Sequence, residues 1–323
     1  MILILCMGVG SVAIAPRDMW AIIAHKLFGA KLASGIRPLT VSIFWNIRIP
    51  RVLTSFAVGG ALSVSGAIMQ SVLQNPLASS YTIGVSSGAS LGAAFILVFN
   101  IQLTFLQNLM LPATGFCFGF LTVVLSLVIC SRFDSGMSNH TIVLIGMVVS
   151  LFVNAVLTLL AALFPDRSQK IYMWMMGSFS ARNWMHVSIL IPSCVIGTFL
   201  AYLLAHELDI LSFGDEQAQS MGVNVRLYRT VLILLATLMT AISVSFTGLI
   251  GFIDLVAPHA VRKVFGFTHR KLIPMSMIYG GSFMALSDLA SRTLIAPREI
   301  PVGAITALAG APFFAFLFFR KKR

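Results

Sequence analysis

Apolar runs separated by short charged or proline-bearing breaks dominate this chain. From Val52 to Ser131, eighty residues pass without one Asp, Glu, Lys or Arg. A helix needs roughly 20 apolar residues to cross a hydrocarbon layer of about 30 Å, so that stretch alone holds several membrane spans. Bounding each run by charge, proline or polar clusters predicts ten spans: 1–15, 52–73, 83–99, 110–130, 141–164, 187–205, 230–249, 250–262, 273–291 and 302–319. The eighth is too short to cross as a straight helix. It is expected as a half-helix packed inside the bundle, because irregular backbone at membrane depth needs protein around it. No linker, low-complexity tract or soluble domain interrupts the pattern, so residues 1–323 read as one all-α polytopic membrane domain.

Composition agrees. Of 323 residues, 58% are hydrophobic and 10% charged, against about 25% charged in soluble domains. The net charge of +12 lies in short groups between apolar runs, which suits loops facing anionic lipid or a protein partner rather than nucleic acid. The four cysteines (Cys6, Cys117, Cys130, Cys194) sit in apolar segments without CxxC spacing and read as small buried hydrophobes. The opening "MILILCMGVGSVAIA" lacks the basic region of a signal peptide, so it is expected to be a short first span, with some residues missing upstream.

Orientation by Lys and Arg nearly ties, eleven residues against eleven. The tail "FLFFRKKR" decides for a cytoplasmic C-terminus and, with ten spans, a cytoplasmic N-terminus. The opposite face then carries an unexplained excess of positive charge. Close helix packing is expected along Gly59, Ser63 and Ala67, and along Gly84, Gly88 and Gly92, where i, i+4, i+8 small residues let backbones approach.

Catalytic furniture is missing. The sequence has no GxxxxGK[ST] loop, HExxH, nucleophile elbow or His/Cys cluster at metal spacing, so no catalytic residue, metal or cofactor is expected. A transport role remains. Asp254, His259 and Asp288 are ionisable groups at membrane depth and candidates for a proton relay. Local structure is the competing account: Asp288 stands four residues before Arg292, and His259 follows Pro258 near a helix end.

The run "RIPRVLTSFAVGGALSVSGAIMQSVLQNPLASSYTIGVSSGASLGAA", then "WMMGSFSARNW", "LSFGDEQAQSMGVNV", "GLIGFIDLVAPHAVRKVFGFTHRKLIP", "DLASR" and "EIPVGAITALAGAPFF", resemble in order the permeases of ABC importers for iron-siderophores, haem and vitamin B12, the FecCD type. The match spans residues 46 to 319. The resemblance implies a type II importer fold of ten helices per subunit, working as a dimer with a second copy or a paralogue. It also implies separate cytoplasmic ATPase subunits, an extracytoplasmic binding protein and residence in the cytoplasmic (inner) membrane. Arginines matching Arg48, Arg51 and Arg292 would face outward and receive acidic residues of the binding protein. Guanidinium suits carboxylate, and Arg48 and Arg51 flank Pro50, a residue favoured in a helix's first turn. Lipid-headgroup anchoring is the plainer alternative for these arginines. The segment 208–229 would form short coupling helices for the ATPase, with Gly214, Ala218 and Gly222 as small seats; for Glu216 and Arg226, rim contacts and a solvated loop face are equal readings. Two departures stand out: Gln74 where the family often has arginine, and Asp254 where "GFVGL" is usual. Asp254 is open to two readings, a cap at the half-helix N-terminus or a pair with a basic neighbour. Ferric-siderophore is the first expectation for substrate, with haem or cobalamin next. Rival classes are a proton-coupled secondary transporter using Asp254 and Asp288, and a non-transporting membrane scaffold or receptor.

Overall fold

The computed structural model describes residues 1–10, 13–32, 35–101, 109–134 and 136–320. The basic tail 321–323 that weighs in the orientation lies outside them. The described residues form helices only: α1 (Ile2–Gly8), α2 (Pro16–Phe28), α3 (Pro38–Val72), α4 (Val85–Phe99), α5 (Met110–Phe133), α6 (Asn139–Leu163), α7 (Pro165–Met175), α8 (Trp184–Leu203), α9 (Ala205–Leu211), α10 (Asp215–Ser220), α11 (Val225–Thr247), α12 (Ile253–Phe265), α13 (His269–Thr293) and α14 (Val302–Arg320).

Helix α3 is the axis of the bundle. From Ile49 to Val72 nearly every residue is buried, and α8, α11, α12 and α13 all pack on it. Small residues make that possible. A Cβ on Gly280 would stand 2.6 Å from the carbonyl oxygen of Gly59, and one on Gly66 would overlap the Asp254 carbonyl. A second layer pairs α4 with α5, where a Cβ on Gly88 or Gly92 would lie 2.6 Å from the Phe118 or Thr114 carbonyl oxygen. Gly84 does not belong to that ridge: with φ +111° it precedes α4 and turns the chain out of the 3₁₀ segment Ser80–Ile83. Apolar side chains cover the outside as well, among them Leu121, Leu151, Phe152 and Phe199 at 59–70% exposure. Such a surface is what lipid as solvent demands and water does not tolerate.

Three expectations need correction. The span 1–15 is no single helix: α1 ends at Gly8, and Pro16 opens α2, which carries Arg17, Asp18, His25 and Lys26 while burying Met19 and Ile22. Four ionisable groups in thirteen residues hid α2 from a search for apolar runs. Second, Pro50 does not start a helix. It lies inside a 35-residue helix, just after a π-helical stretch, Ile43–Arg48. Proline has no N–H and its ring collides with the carbonyl one turn back; the wider π turn makes room for it. Third, Cys117 is exposed on the outer face of α5, whereas the other three cysteines are buried.

The half-helix appears as α12, which buries Ile253, Val256, Ala257, Pro258 and Val261 against α3 and α13. His259 beside it is partly buried. The tryptophan–glycine–serine motif is a junction: Ser178 N–H donates to the Thr247 carbonyl at the end of α11, and the Gly177 carbonyl accepts from Val302 N–H at the start of α14.

Candidate functional site

Two polar clusters sit at opposite ends of α3. At the Arg51 end, the guanidinium of Arg51 donates to both oxygens of Asp288 (Nε–Oδ1 and Nε–Oδ2 3.0 Å, Nη2–Oδ1 2.8 Å) and to Glu299 (Nη1–Oε1 2.7 Å, Nη2–Oε2 3.1 Å). Arg48 donates to the carbonyls of Met7 (3.2 Å) and Gly8 (3.0 Å), and Arg292 to that of Cys6. Those three carbonyls close α1. A helix leaves its last carbonyls unbonded and partially negative, and arginine is a suitable partner for them.

The expectation that Arg48, Arg51 and Arg292 stand exposed on a rim is therefore corrected for this chain alone. Arg48 is 3% exposed and Arg51 7%. Arg292 lies 3.8 Å from Asp288 across one turn of α13, the pairing their spacing allows. Arg182 joins the cluster from the loop before α8, where burial and the nearby charge of Arg51 pull it down to about 10. Glu299 is held below the usual carboxylate range, chiefly by its hydrogen bond from Arg51. Four guanidiniums (Arg48, Arg51, Arg182, Arg292) face two carboxylates (Asp288, Glu299), a formal excess of two positive charges. The Nε atoms of Arg182 and Arg292 are buried without a hydrogen-bond partner among the described residues.

At the Gln74 end, the segment predicted for coupling forms α9 and α10. Gly214 and Gly222 are not part of a helical ridge with Ala218. Both have positive φ (+114° and +83°) and flank α10, while Ala218 faces inward and is fully buried. Three small residues at i, i+4, i+8 mark a ridge only if one helix contains them all, and α10 has six residues. Glu216 is exposed, as are Phe213 (67%) and Met221 (58%), which the sequence did not single out.

What sequence reasoning missed most is how this segment is wired to the bundle. Asp215 accepts from Arg229 of α11 (2.5 Å) and from Gln74 at the end of α3 (3.4 Å). Arg229 is fully buried and also donates to the Met137 carbonyl at 2.7 Å. Asp209 of α9 accepts from the backbone N–H of His269 (2.9 Å) and lies 2.6 Å from its Nδ1. Burial holds His269 below the ordinary imidazole range despite that carboxylate. The neutral ring then donates from Nδ1 to Asp209 and accepts at Nε2 from Ser71 Oγ (2.6 Å). Arg262 of α12 completes the chain by donating to Ser71 (3.1 Å) and to Gln70. Two coupling-segment carboxylates thus connect to α3, α11, α12 and α13.

Asp254 answers to neither of its two expected partners alone. It is 2% exposed, takes the hydroxyl of Ser79 and the first-turn amides of Asp254 and Leu255, and has no basic partner among the described residues. It satisfies orphan donors at the start of α12 from inside the helix rather than from the capping position, which Phe252 occupies. Its backbone lies against Gly66, whereas Asp288 lies against Arg51. Fifteen residues of α3 separate those contacts, roughly 22 Å at ~1.5 Å per residue, so the two carboxylates do not form one relay. Among the described residues no group of three or more His, Cys, Asp or Glu could hold a metal ion.

A bundle of apolar helices with one buried charge cluster at each end and a short helical segment tied beneath it is a membrane permease in architecture. The chain belongs to the FecCD transport family, whose profile matches residues 1–320. It is 37% identical to an uncharacterised ABC transporter permease protein, YvrB, of Bacillus subtilis over 99% of this chain and 91% of that one. It is 36% identical to the hemin transport system permease HmuU of Yersinia pestis, covering 87% and 84% of the two chains. A solved structure of a transporter assigned to the metal-chelate ABC type, in an inward-facing conformation, superposes with a TM-score of 0.85 at 28% identity over 99% of this chain and 95% of the other.

Proposed function

We propose that this chain is the transmembrane subunit of a binding-protein-dependent ABC importer for ferric chelates, with ferric-siderophore as the first substrate class. Haem and cobalamin are its alternatives. The observation that carries the importer reading is the 205–221 segment. It offers Phe213, Met221 and Glu216 to a partner while Asp215 bonds it to Arg229 of α11 and Gln74 after α3, and Asp209 to His269 of α13. The sequence has no phosphate-binding loop, so a separate ATPase supplies the energy, and its closure drives alternating access through this segment. Both termini lie in the cytoplasm of a cell whose inner or cytoplasmic membrane holds the protein. The substrate moves between this chain and a second copy or paralogue.

The binding protein docks at the Arg51 end. Its acidic side chains are drawn to the excess charge around Arg48, Arg51 and Arg292, and charge of this kind mainly sets orientation and on-rate. Because the arginines are buried here, contact comes at the Glu299 edge, where Glu299 (38% exposed) and exposed Arg298 are accessible. The relatives' names point to iron: hemin for HmuU of Yersinia pestis and siderophore for YfhA of Bacillus subtilis. A cobalamin permease of Halobacterium salinarum at 34% identity keeps the second reading alive.

The test is uptake of radiolabelled ferric-siderophore, haem and cobalamin by cells carrying the chain with its cognate ATPase and binding protein. Phe213→Asp is expected to abolish uptake at normal surface level, and Arg298→Cys to crosslink to the binding protein. Uptake that persists without the ATPase, or is driven by a proton gradient, would overturn the importer reading. Uptake of cobalamin alone would overturn only the substrate.

A further inference from the structure

We infer that a groove between α5 and α11, at the Gln74 end, binds one anionic phospholipid. Its acyl chain lies along the helix seam and its phosphate meets Arg226. The groove encloses about 440 Å³. Its α5 wall is Val124, Leu127, Val128 and Ser131, which recur at i, i+3, i+4 and i+7 and so form one face of the helix. Leu227 and Leu234 supply the facing wall. Val128 and Leu227 are 52% and 55% exposed, so the groove opens outward from the bundle. These α5 residues belong to the uncharged run that must sit in hydrocarbon.

The polar end is built differently. Arg226 lies in the first turn of the 23-residue helix α11, whose amide end favours an anion. Its guanidinium makes no hydrogen bond or ion pair with the described residues, in contrast to Arg229 one turn further on, whose two terminal nitrogens donate to the Met137 carbonyl and to Asp215. Arg132, exposed in the last turn of α5, adds a second positive charge at the same level. The carboxylate of Asp134, two residues on, is occupied by the amides of Gly136 and Ser138, both at 2.9 Å. An apolar seam that ends in an unpaired arginine complements an acyl chain that ends in phosphate. Basic pockets between membrane helices take anionic headgroups by this complementarity. A second groove, lined by Val195, Phe199, Tyr202 and Met277, is about 260 Å³ and has no charge among its lining residues. It makes a natural control, able to hold a chain but not to select a headgroup.

Purified full-length protein is reconstituted in discs of equal parts phosphatidylglycerol and phosphatidylcholine, extracted in mild detergent, and its retained lipid measured by mass spectrometry. Wild type is expected to retain phosphatidylglycerol several-fold over phosphatidylcholine. Arg226→Gln should bring that ratio to about one, Val128→Trp should remove the bound lipid, and Val195→Trp should leave the preference intact. Arg226 is an exposed side chain, so its variant keeps the test independent of whether the tryptophan variant folds. Equal retention of both lipids by wild type, a preserved preference in Arg226→Gln, or displacement of the lipid by millimolar inorganic phosphate would each overturn the inference. So would crosslinking of position 128 to a second copy or to the ATPase in the assembled transporter, because the groove would then be a protein interface.

Discussion

Removing the carboxylate of Asp288 tests the reading of the Arg51 end most sharply. Asp288 is 1% exposed and Arg51 9% by side chain, so Asp288→Ala strands a buried guanidinium. Loss of one partner from a buried pair costs about 3–5 kcal/mol. Glu299 stays on Arg51 through two hydrogen bonds, and Arg292 keeps the Cys6 carbonyl, so the cost falls toward the lower bound, about 3 kcal/mol. Replacing both members by apolar residues of similar volume removes the stranded charge. Arg51→Met with Asp288→Leu is therefore expected to recover most of the loss, within about 1 kcal/mol of wild type. Glu299 tolerates the change because water reaches it. The assay is thermal unfolding in detergent, read on wild type, the single variant and the double variant prepared side by side. An Asp288→Ala protein within about 0.5 kcal/mol of wild type would refute the reasoning, since surface-like pairs are worth that little. A double variant no better than the single would refute it equally.

Arg51→Glu is expected to lower the amount of folded protein at the membrane before any docking defect can be read, because it sets three carboxylates together; immunoblotting of membrane fractions checks this. Gly66→Ala should destabilise by about 1–3 kcal/mol or more, since the Asp254 carbonyl occupies the site of the new methyl and cannot yield like a side chain. Asp209→Asn should keep the fold but weaken coupling, seen as ATPase activity that no longer rises with substrate-loaded binding protein. Acid should destabilise through Glu299. Its folded-state value is depressed by Arg51, so its contribution is present above the unfolded value of about 4.3 and is lost as pH falls through the folded one. Glu299→Gln should therefore flatten the acid limb of a stability profile between pH ~6 and pH ~3.

The apolar helices were legible because a run of uncharged residues has few places to go other than lipid or a core. The half-helix was legible from length and from its neighbours. Helix α2 was not, because its buried face, Met19 and Ile22, is two residues wide and embedded in charge. The resemblance groups Arg48, Arg51 and Arg292, and the structure brings them to one end of α3, but their partners were not legible. Asp288 and Glu299 are 237 and 248 positions from Arg51, and the α1 carbonyls leave no mark in a sequence at all. The same limit hid the Asp209–His269 and Asp215–Arg229 links. Nothing in the sequence distinguishes Arg229 from Arg226 three residues before it, yet packing buries Arg229 fully and leaves Arg226 exposed. Spacing misled at Gly214, Ala218 and Gly222, where a period of four was taken across two helix ends.

The approach of α3 to α13 has a mechanical consequence. Where a Cβ has no room between Gly59 and Gly280, backbone meets backbone beside the Ser63 and Met284 side-chain stems, and little is left there to slide or repack. One end of the pair is fastened by Arg51 and Asp288, the other by Ser71 and His269. Two rods touching at the waist and pinned at both ends cannot rock against each other. They travel as a single strut with α12, whose Asp254 carbonyl is lodged at Gly66. The give in the molecule must lie at seams filled by long, unbranched side chains, such as the one where Met239 of α11 meets Gly197 of α8. A spin label pair spanning α3 and α13 should hold one distance through every state of the cycle, and a pair spanning α8 and α11 should not.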